Sequence, residues 1–173
     1  YEAALKYPSS FDFGICLGVI HHTSSPEATL KDAISLLRPA GKLLLYCYYD
    51  LSDRNLPYIV LFKIATIARL FICRLPFRAK SLVCDLLAAF VYFPISRISF
   101  LPIINRLKLP LSYYKDKPFY VMRTDSLDRF GTIVEHRFSL LELINLCNKC
   151  NAAVLHVSPK QPYWTLLLQK LPA

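Results

Sequence analysis

The sequence predicts an α/β fold centred on a strand–helix–strand unit over residues 11–49. Three observations predict it. Phe11-Asp12-Phe13-Gly14-Ile15-Cys16-Leu17 is an apolar run with no charge after Asp12, the pattern of a strand buried on both faces of a parallel sheet. Ser25-Pro26 supplies an N-cap with a proline at the first helical position. Leu30, Ala33, Ile34 and Leu37 then recur at helical spacing, and Pro39-Ala40-Gly41 stops the helix. Leu43-Leu44-Leu45-Tyr46-Cys47-Tyr48 is a second apolar run of strand length. Two such strands joined through a helix lie parallel, with a right-handed crossover.

The other elements follow in order. Residues 1–10 form a short amphipathic piece and a loop at Pro8-Ser9-Ser10, and residues 50–53 are a polar turn. Residues 56–110 are apolar helices with basic residues spaced through them, one over 59–73 and another over 81–93. Pro57, Pro76, Pro94, Pro102 and Pro110 cut this region into short pieces. No uncharged run reaches the roughly 18 residues of a membrane span. Residues 111–137 read as a polar return with loop-like density of tyrosines, arginines and carboxylates, the kind of segment that carries substrate contacts. Ser139-Leu140-Leu141-Glu142 is a capping box, and Leu140, Leu143, Ile144 and Cys147 form the buried stripe of the helix it opens. Two strands, 152–158 and 163–171, close the chain around Pro159-Lys160-Gln161-Pro162.

Composition bounds the function. The 173 residues suffice for one domain with a core, and the net charge is +9. Between 51 and 117 there are eleven Lys and Arg against three Asp, so this segment holds nearly the whole excess. Such a segment either folds as a lid over its own domain, lies on an anionic membrane through 56–110, or meets nucleic acid. The last is disfavoured, because the exposed polar–aromatic interleaving that stacks bases is absent. Six cysteines without a signal peptide indicate a reducing, cytoplasmic setting. Cys147-Asn148-Lys149-Cys150 is a lone CxxC without a second ligand pair, so no metal site is assigned. There are four glycines and no GxGxxG-like run.

Phe11-Asp12, Gly18-Val19-Ile20-His21-His22 and Leu37-Arg38-Pro39-Ala40-Gly41 together resemble the second half of a class I S-adenosylmethionine-dependent methyltransferase. His136-Arg137-Phe138-Ser139 and the closing hairpin with Pro162-Tyr163-Trp164 extend the resemblance over most of the chain. The resemblance implies a partial Rossmann-like methyltransferase sheet with a helical insertion as lid. Residues 1–50 would be the βαβ half of the core, 51–122 the insertion, and 123–173 the final helix and hairpin. It also implies that a preceding half, with the glycine-rich cofactor loop, is missing. This chain alone is then expected not to bind S-adenosylmethionine measurably, and to leave an apolar strand edge open at 13–16. Ala40 stands where the family usually has its first glycine, and only Gly41 is expected to need the unusual backbone angles of the helix stop.

For function the resemblance implies methyl transfer from S-adenosylmethionine to a small-molecule or lipid-like acceptor. The alternative is a non-catalytic, basic, membrane-peripheral binding protein. Cys16, Leu17, Gly18 and Val19 would border the cofactor, because open α/β sheets bind ligands beyond the carboxyl ends of their strands. His22 is the candidate general base, against a plain packing role, since a histidine can take the acceptor's proton while binding supplies the alignment. His21, Tyr48 and Tyr49 are candidate substrate contacts, with helix capping or aromatic packing as the other reading. Arg123, His136 and Arg137 could hold an anionic group, or else be ordinary salt-bridged side chains.

Overall fold

The computed structural model describes residues 2–51, 56–98, 111–158 and 163–172, with Pro57 described for its backbone alone. The prolines at 102 and 110, the polar residues 52–53 and the turn at 159–162 lie outside the described residues. The chain divides into two compact units, one of residues 1–52 with 134–173 and one of residues 53–133.

The first unit is built on a sheet of four strands in the order β1-β2-β4-β3: β1 Phe11–Leu17, β2 Leu37–Tyr48, β3 Ala152–Ser158 and β4 Tyr163–Lys170. β1 and β2 are parallel, joined through α2 Pro26–Ser35, and β4 pairs antiparallel with both β2 and β3. Ser25 accepts from Ala28 N at 3.2 Å with Pro26 at the first helical position, and this opens α2. α1 Glu2–Lys6 precedes β1, and α7 Leu140–Lys149 precedes β3. The capping box of α7 is present: Ser139 Oγ accepts from Glu142 N at 3.3 Å, and Ser139 N donates to Glu142 Oε2 at 2.8 Å. Leu143 and Cys147 are fully buried beneath it.

Side chains of one sheet face form the core. Leu43, Leu45 and Cys47 of β2 and Leu166 and Leu168 of β4 meet Leu30 and Ile34 of α2 and Leu143 and Cys147 of α7. β1 departs from the expected strand buried on both faces. Cys16 turns into the core, but Phe11, Phe13, Ile15 and Leu17 alternate with it and stand about half exposed or more. Successive side chains of a strand point to opposite faces, so these four lie on the face away from the core, and among the described residues β1 is the edge strand, paired with β2.

The expected helix stop also differs. α2 ends at Ser35, and Leu37, expected on its apolar stripe, opens β2 instead. The positive φ falls on Ala40, at +65°, and not on Gly41. Gly41 is required for space. A Cβ there would lie 2.9 Å from Arg38 O, 3.1 Å from Leu37 Cβ and 3.2 Å from Phe11 O, where the chain enters β1.

The second unit comprises α3 Leu56–Ile72, α4 Phe77–Leu87, a π-helix Ala88–Tyr92, α5 Phe93–Ile98 and α6 Phe119–Gly131. α4, the π turn and α5 run on as one helix from Phe77 to Ile98, so Pro94 does not break it as expected. Proline cannot supply an N–H to the preceding turn, and a π turn directly before it reroutes the bonding. α6 replaces part of the expected polar loop. Its buried residues are Met122, Ser126 and Phe130, one face at four-residue spacing. Ser126 Oγ donates to Cys84 O at 2.9 Å, so the polar member of that face is satisfied. The unit therefore extends past Met122 to Ile133. Its core is Cys84, Ala88, Tyr92, Met122 and Phe130.

Candidate active site

The chain leaves β1 through Gly18, whose φ of +74° suits glycine, and Gly18 N donates to Tyr46 O at 3.1 Å. A Cβ on Gly18 would meet nothing within 4 Å, so the backbone here borders open space. Leu17 and Val19 on either side are half exposed, at 51% and 47%. Cys16 differs from its three neighbours. Its side chain lies in the core and burial pushes its thiol up, leaving the backbone as the only part that could touch a ligand.

Ile20–His22 form a 3-10 turn in which Ile20 is wholly buried and anchors the loop. His21 is also buried, its ring stacked on Tyr48 at 4.0 Å between centroids and 27°. His22 is half buried, and its Nδ1 lies 2.9 Å from Val134 O. A carbonyl accepts only, so Nδ1 donates, and Nε2 is buried.

Residues 134–138 form a strap across the ends of β1 and β2. His136 N donates to His21 O at 2.8 Å, Phe138 N to Tyr48 O at 3.2 Å, and Asp50 N to Phe138 O at 2.9 Å. His136 Nε2 donates to Thr23 O at 3.0 Å, and Trp164 Nε1 to Phe138 O at 2.8 Å. Arg137 donates from Nη1 to Tyr49 O at 3.1 Å and from Nε to Glu135 Oε1 at 2.8 Å, with its guanidinium 4.9 Å from the Tyr48 ring centre. Tyr48 thus contacts both the His21 ring and the Arg137 cation, and Tyr163 lies 6.0 Å away. The result is an aromatic wall at the carboxyl end of β2.

Of the residues singled out from sequence, the structure brings together Leu17, Gly18, Val19, His21, His22, Tyr48, His136 and Arg137 in this corner of the sheet unit. Tyr49 does not face outward with Tyr48. Successive residues of an extended chain point to opposite faces, and Tyr49 is buried at 3% exposure, bridged to Phe138. Arg123 lies on α6 in the helical unit. Both oxygens of Asp85 take its guanidinium at 2.7 Å, which holds the Asp85 carboxyl below its usual range. His136 and Arg137 also line a recess of about 470 Å³ with Phe138, Glu142, Asn145, Leu146 and Lys149. Sequence reasoning missed the strap partners Val134 and Glu135. Val134 acts through its carbonyl, which leaves no sequence signal, whereas Glu135 two residues before Arg137 is a readable ion-pair spacing. Cys147 and Cys150 are both buried in the core, with thiols pushed up by burial.

Residues 2–45 match the Methyltransferase domain family. A tRNA U34 carboxymethyltransferase of Helicobacter acinonychis (strain Sheeba) is 48% identical over 40 residues, 23% of this chain and 15% of that protein. The crystal structure of PKMT2 from Rickettsia typhi superposes on 95% of the chain with a TM-score of 0.53 and 16% identity. The chain shares the α/β fold of that structure, and residues 2–45 of its sheet unit carry the methyltransferase-domain match. An S-adenosylmethionine-dependent methyltransferase from Methanosarcina mazei is also similar, at 16% identity over 96% of the chain with a TM-score of 0.48. The chain spans 37% of the Rickettsia protein and 62% of the Methanosarcina one. The matched residues 2–45 hold α1, β1, α2 and most of β2, which border the Gly18 opening, and the strap and hairpin lie beyond the match.

Proposed function

We propose that this chain forms the acceptor-side wall of a methyltransferase that moves a methyl group from S-adenosylmethionine to a small-molecule or lipid-like acceptor. The observation that carries the reading is Gly18. Its left-handed backbone and the open space at its missing Cβ fit a ligand lying against the chain where β1 ends. S-adenosylmethionine, when bound, supplies an activated methyl sulfonium. The backbone of Leu17-Gly18-Val19 would border its methionine part. His22, whose Nδ1 donates to Val134 O, would take a proton from an acceptor oxygen or nitrogen once the acceptor reaches its buried Nε2. Tyr48 would offer the acceptor an aromatic surface, held in place by His21 and Arg137. The named RNA substrate of the Helicobacter relative is not carried over, because that match covers only 40 residues, 23% of this chain and 15% of that protein.

The test is made on protein purified from its native source, incubated with methyl-tritiated S-adenosylmethionine and a total extract of small molecules and lipids. Label moves to an extract component. Gly18→Val abolishes binding of S-adenosylhomocysteine, since a branched side chain would fill the opening at a disfavoured φ. His22→Ala lowers turnover about 10²-fold while leaving that binding in place. Absence of both label transfer and S-adenosylhomocysteine binding in the unsubstituted protein would overturn the reading.

A further inference from the structure

α3 packs Ala65, Ala68 and Ile72 against the core of its own unit and turns Thr66 and Arg69, a polar pair, the same way. Arg69 is 7% exposed, and its Nη1 donates to Thr132 O and Ile133 O, each at 3.1 Å. Thr66 Oγ1 accepts from Arg129 Nη2 at 3.1 Å. Toward solvent α3 turns Val60, Ile64, Ile67 and Phe71, exposed by 48%, 58%, 57% and 70%. Their spacing of four, three and four residues is a single stripe along the helix. Lys63 lies on one flank of that stripe and Arg74 in the turn just past the end of α3, and both are exposed. α4 and the π turn repeat the arrangement. Cys84, Ala88 and Tyr92 pack inward, while Leu82, Leu86 and Phe90 stand outward at four-residue spacing.

An exposed apolar surface of this size marks a contact, and charge selects the occupant. Residues 53–133 hold thirteen Lys and Arg against five Asp and Glu, a net +8 of the chain's +9. Aliphatic stripes flanked by cations suit the boundary between acyl chains and anionic headgroups. We propose that the helical unit docks on an anionic lipid bilayer, with α3 and α4 lying in the plane of its surface. The Phe77–Ile98 helix, of 22 residues, is long enough to cross a bilayer. It lies flat instead, because its Cys84–Ala88–Tyr92 face is packed in its own unit and Asp85 is bound by Arg123.

The test is flotation of the whole 173-residue chain through a density gradient, in which lipid-bound protein rises and aggregate sinks. Vesicles are phosphatidylcholine alone or phosphatidylcholine with about 30% phosphatidylglycerol, enough to give a surface potential that attracts basic residues. The chain floats with the anionic vesicles and stays down with the neutral ones. Raising salt from about 0.1 M to about 1 M shortens the screening length from roughly 10 Å to 3 Å and releases it. Lys63→Gln with Arg74→Gln lowers partitioning about 25-fold, at roughly fivefold per cation. Ile64→Glu with Ile67→Glu lowers it at least about tenfold, since two buried apolar groups are lost. Both double variants keep the wild-type circular dichroism spectrum, because all four side chains are exposed. No flotation on anionic vesicles, equal flotation on neutral ones, or flotation indifferent to both double variants would overturn the proposal. The methyltransferase reading is unaffected by any of these outcomes.

Discussion

Replacing Ala40 by glycine should stabilise the sheet unit, and replacing its neighbour Gly41 by alanine should destabilise it. Ala40 sits at φ +65°, where an L side chain crowds the following carbonyl. That crowding costs about 1–2 kcal/mol. Glycine's greater freedom in the unfolded chain returns about 0.4–1 kcal/mol of this. The net gain for Ala40→Gly is on the order of 0.5–1 kcal/mol, a rise of about 1–4 °C in melting temperature for a protein of this size. At Gly41 the geometry is the opposite. An added Cβ meets Arg38 O at 2.9 Å and Phe11 O at 3.2 Å, and backbone atoms give little. Overpacking of this kind costs about 1–3 kcal/mol. Fluorescence of Trp164, the single tryptophan, reports on this unit directly, because its indole donates to Phe138 O across the sheet's end. Urea titrations read by that signal should move the midpoint up for Ala40→Gly and down for Gly41→Ala. A lowered midpoint for the first with an unchanged one for the second would refute the assignment of strain to 40 and crowding to 41.

Two further outcomes follow from the same unit. Ser139→Ala removes the hydroxyl that accepts from Glu142 N, and should cost about 1 kcal/mol in the same titration. Burial pushes the thiols of Cys47 and Cys147 each up to about 12 from 9.0. Both stay protonated in the native state while unfolded thiols ionise, so their contribution is fully present below pH 9 and is lost as pH rises toward 12. Melts at pH 8, 9 and 10 should show the decline beginning near 9, and replacing both cysteines by alanine should make it shallower, with Cys16 and Cys150 leaving a remainder.

The legible parts of the fold were those that local chemistry fixes. Ser25-Pro26 and Ser139 with Glu142 cap their helices as their residue types require, and the 152–158 strand keeps its bounds. Leu37 misled because its apolar spacing continues the α2 stripe, while in space it opens β2 and still reaches the same core at 1% exposure. α6 was hidden by Ser126, a polar residue at the centre of a buried stripe that only Cys84 O makes tolerable. At the site, Gly18 and His22 could be read because side-chain chemistry points to them. Of the strap at 134–138 only His136 and Arg137 could be singled out, because its bonds to 20–23 and 48–50 run mostly through backbone atoms that every sequence possesses.

The place of β4 in the sheet sets the order in which a growing chain can become a protein. β4 fills the gap between β2 and β3, yet it is translated more than a hundred residues after β2. At about 5–20 residues per second, β2 waits on the order of ten seconds with that side bare. During the wait Leu43 and Leu45 have no β4 leucines to meet, and the helical unit emerges between the two halves of the sheet unit. The nascent chain is therefore a client for holding chaperones throughout synthesis of residues 53–133. Slowing elongation over that stretch with rare codons would lengthen the exposure and reduce the soluble yield.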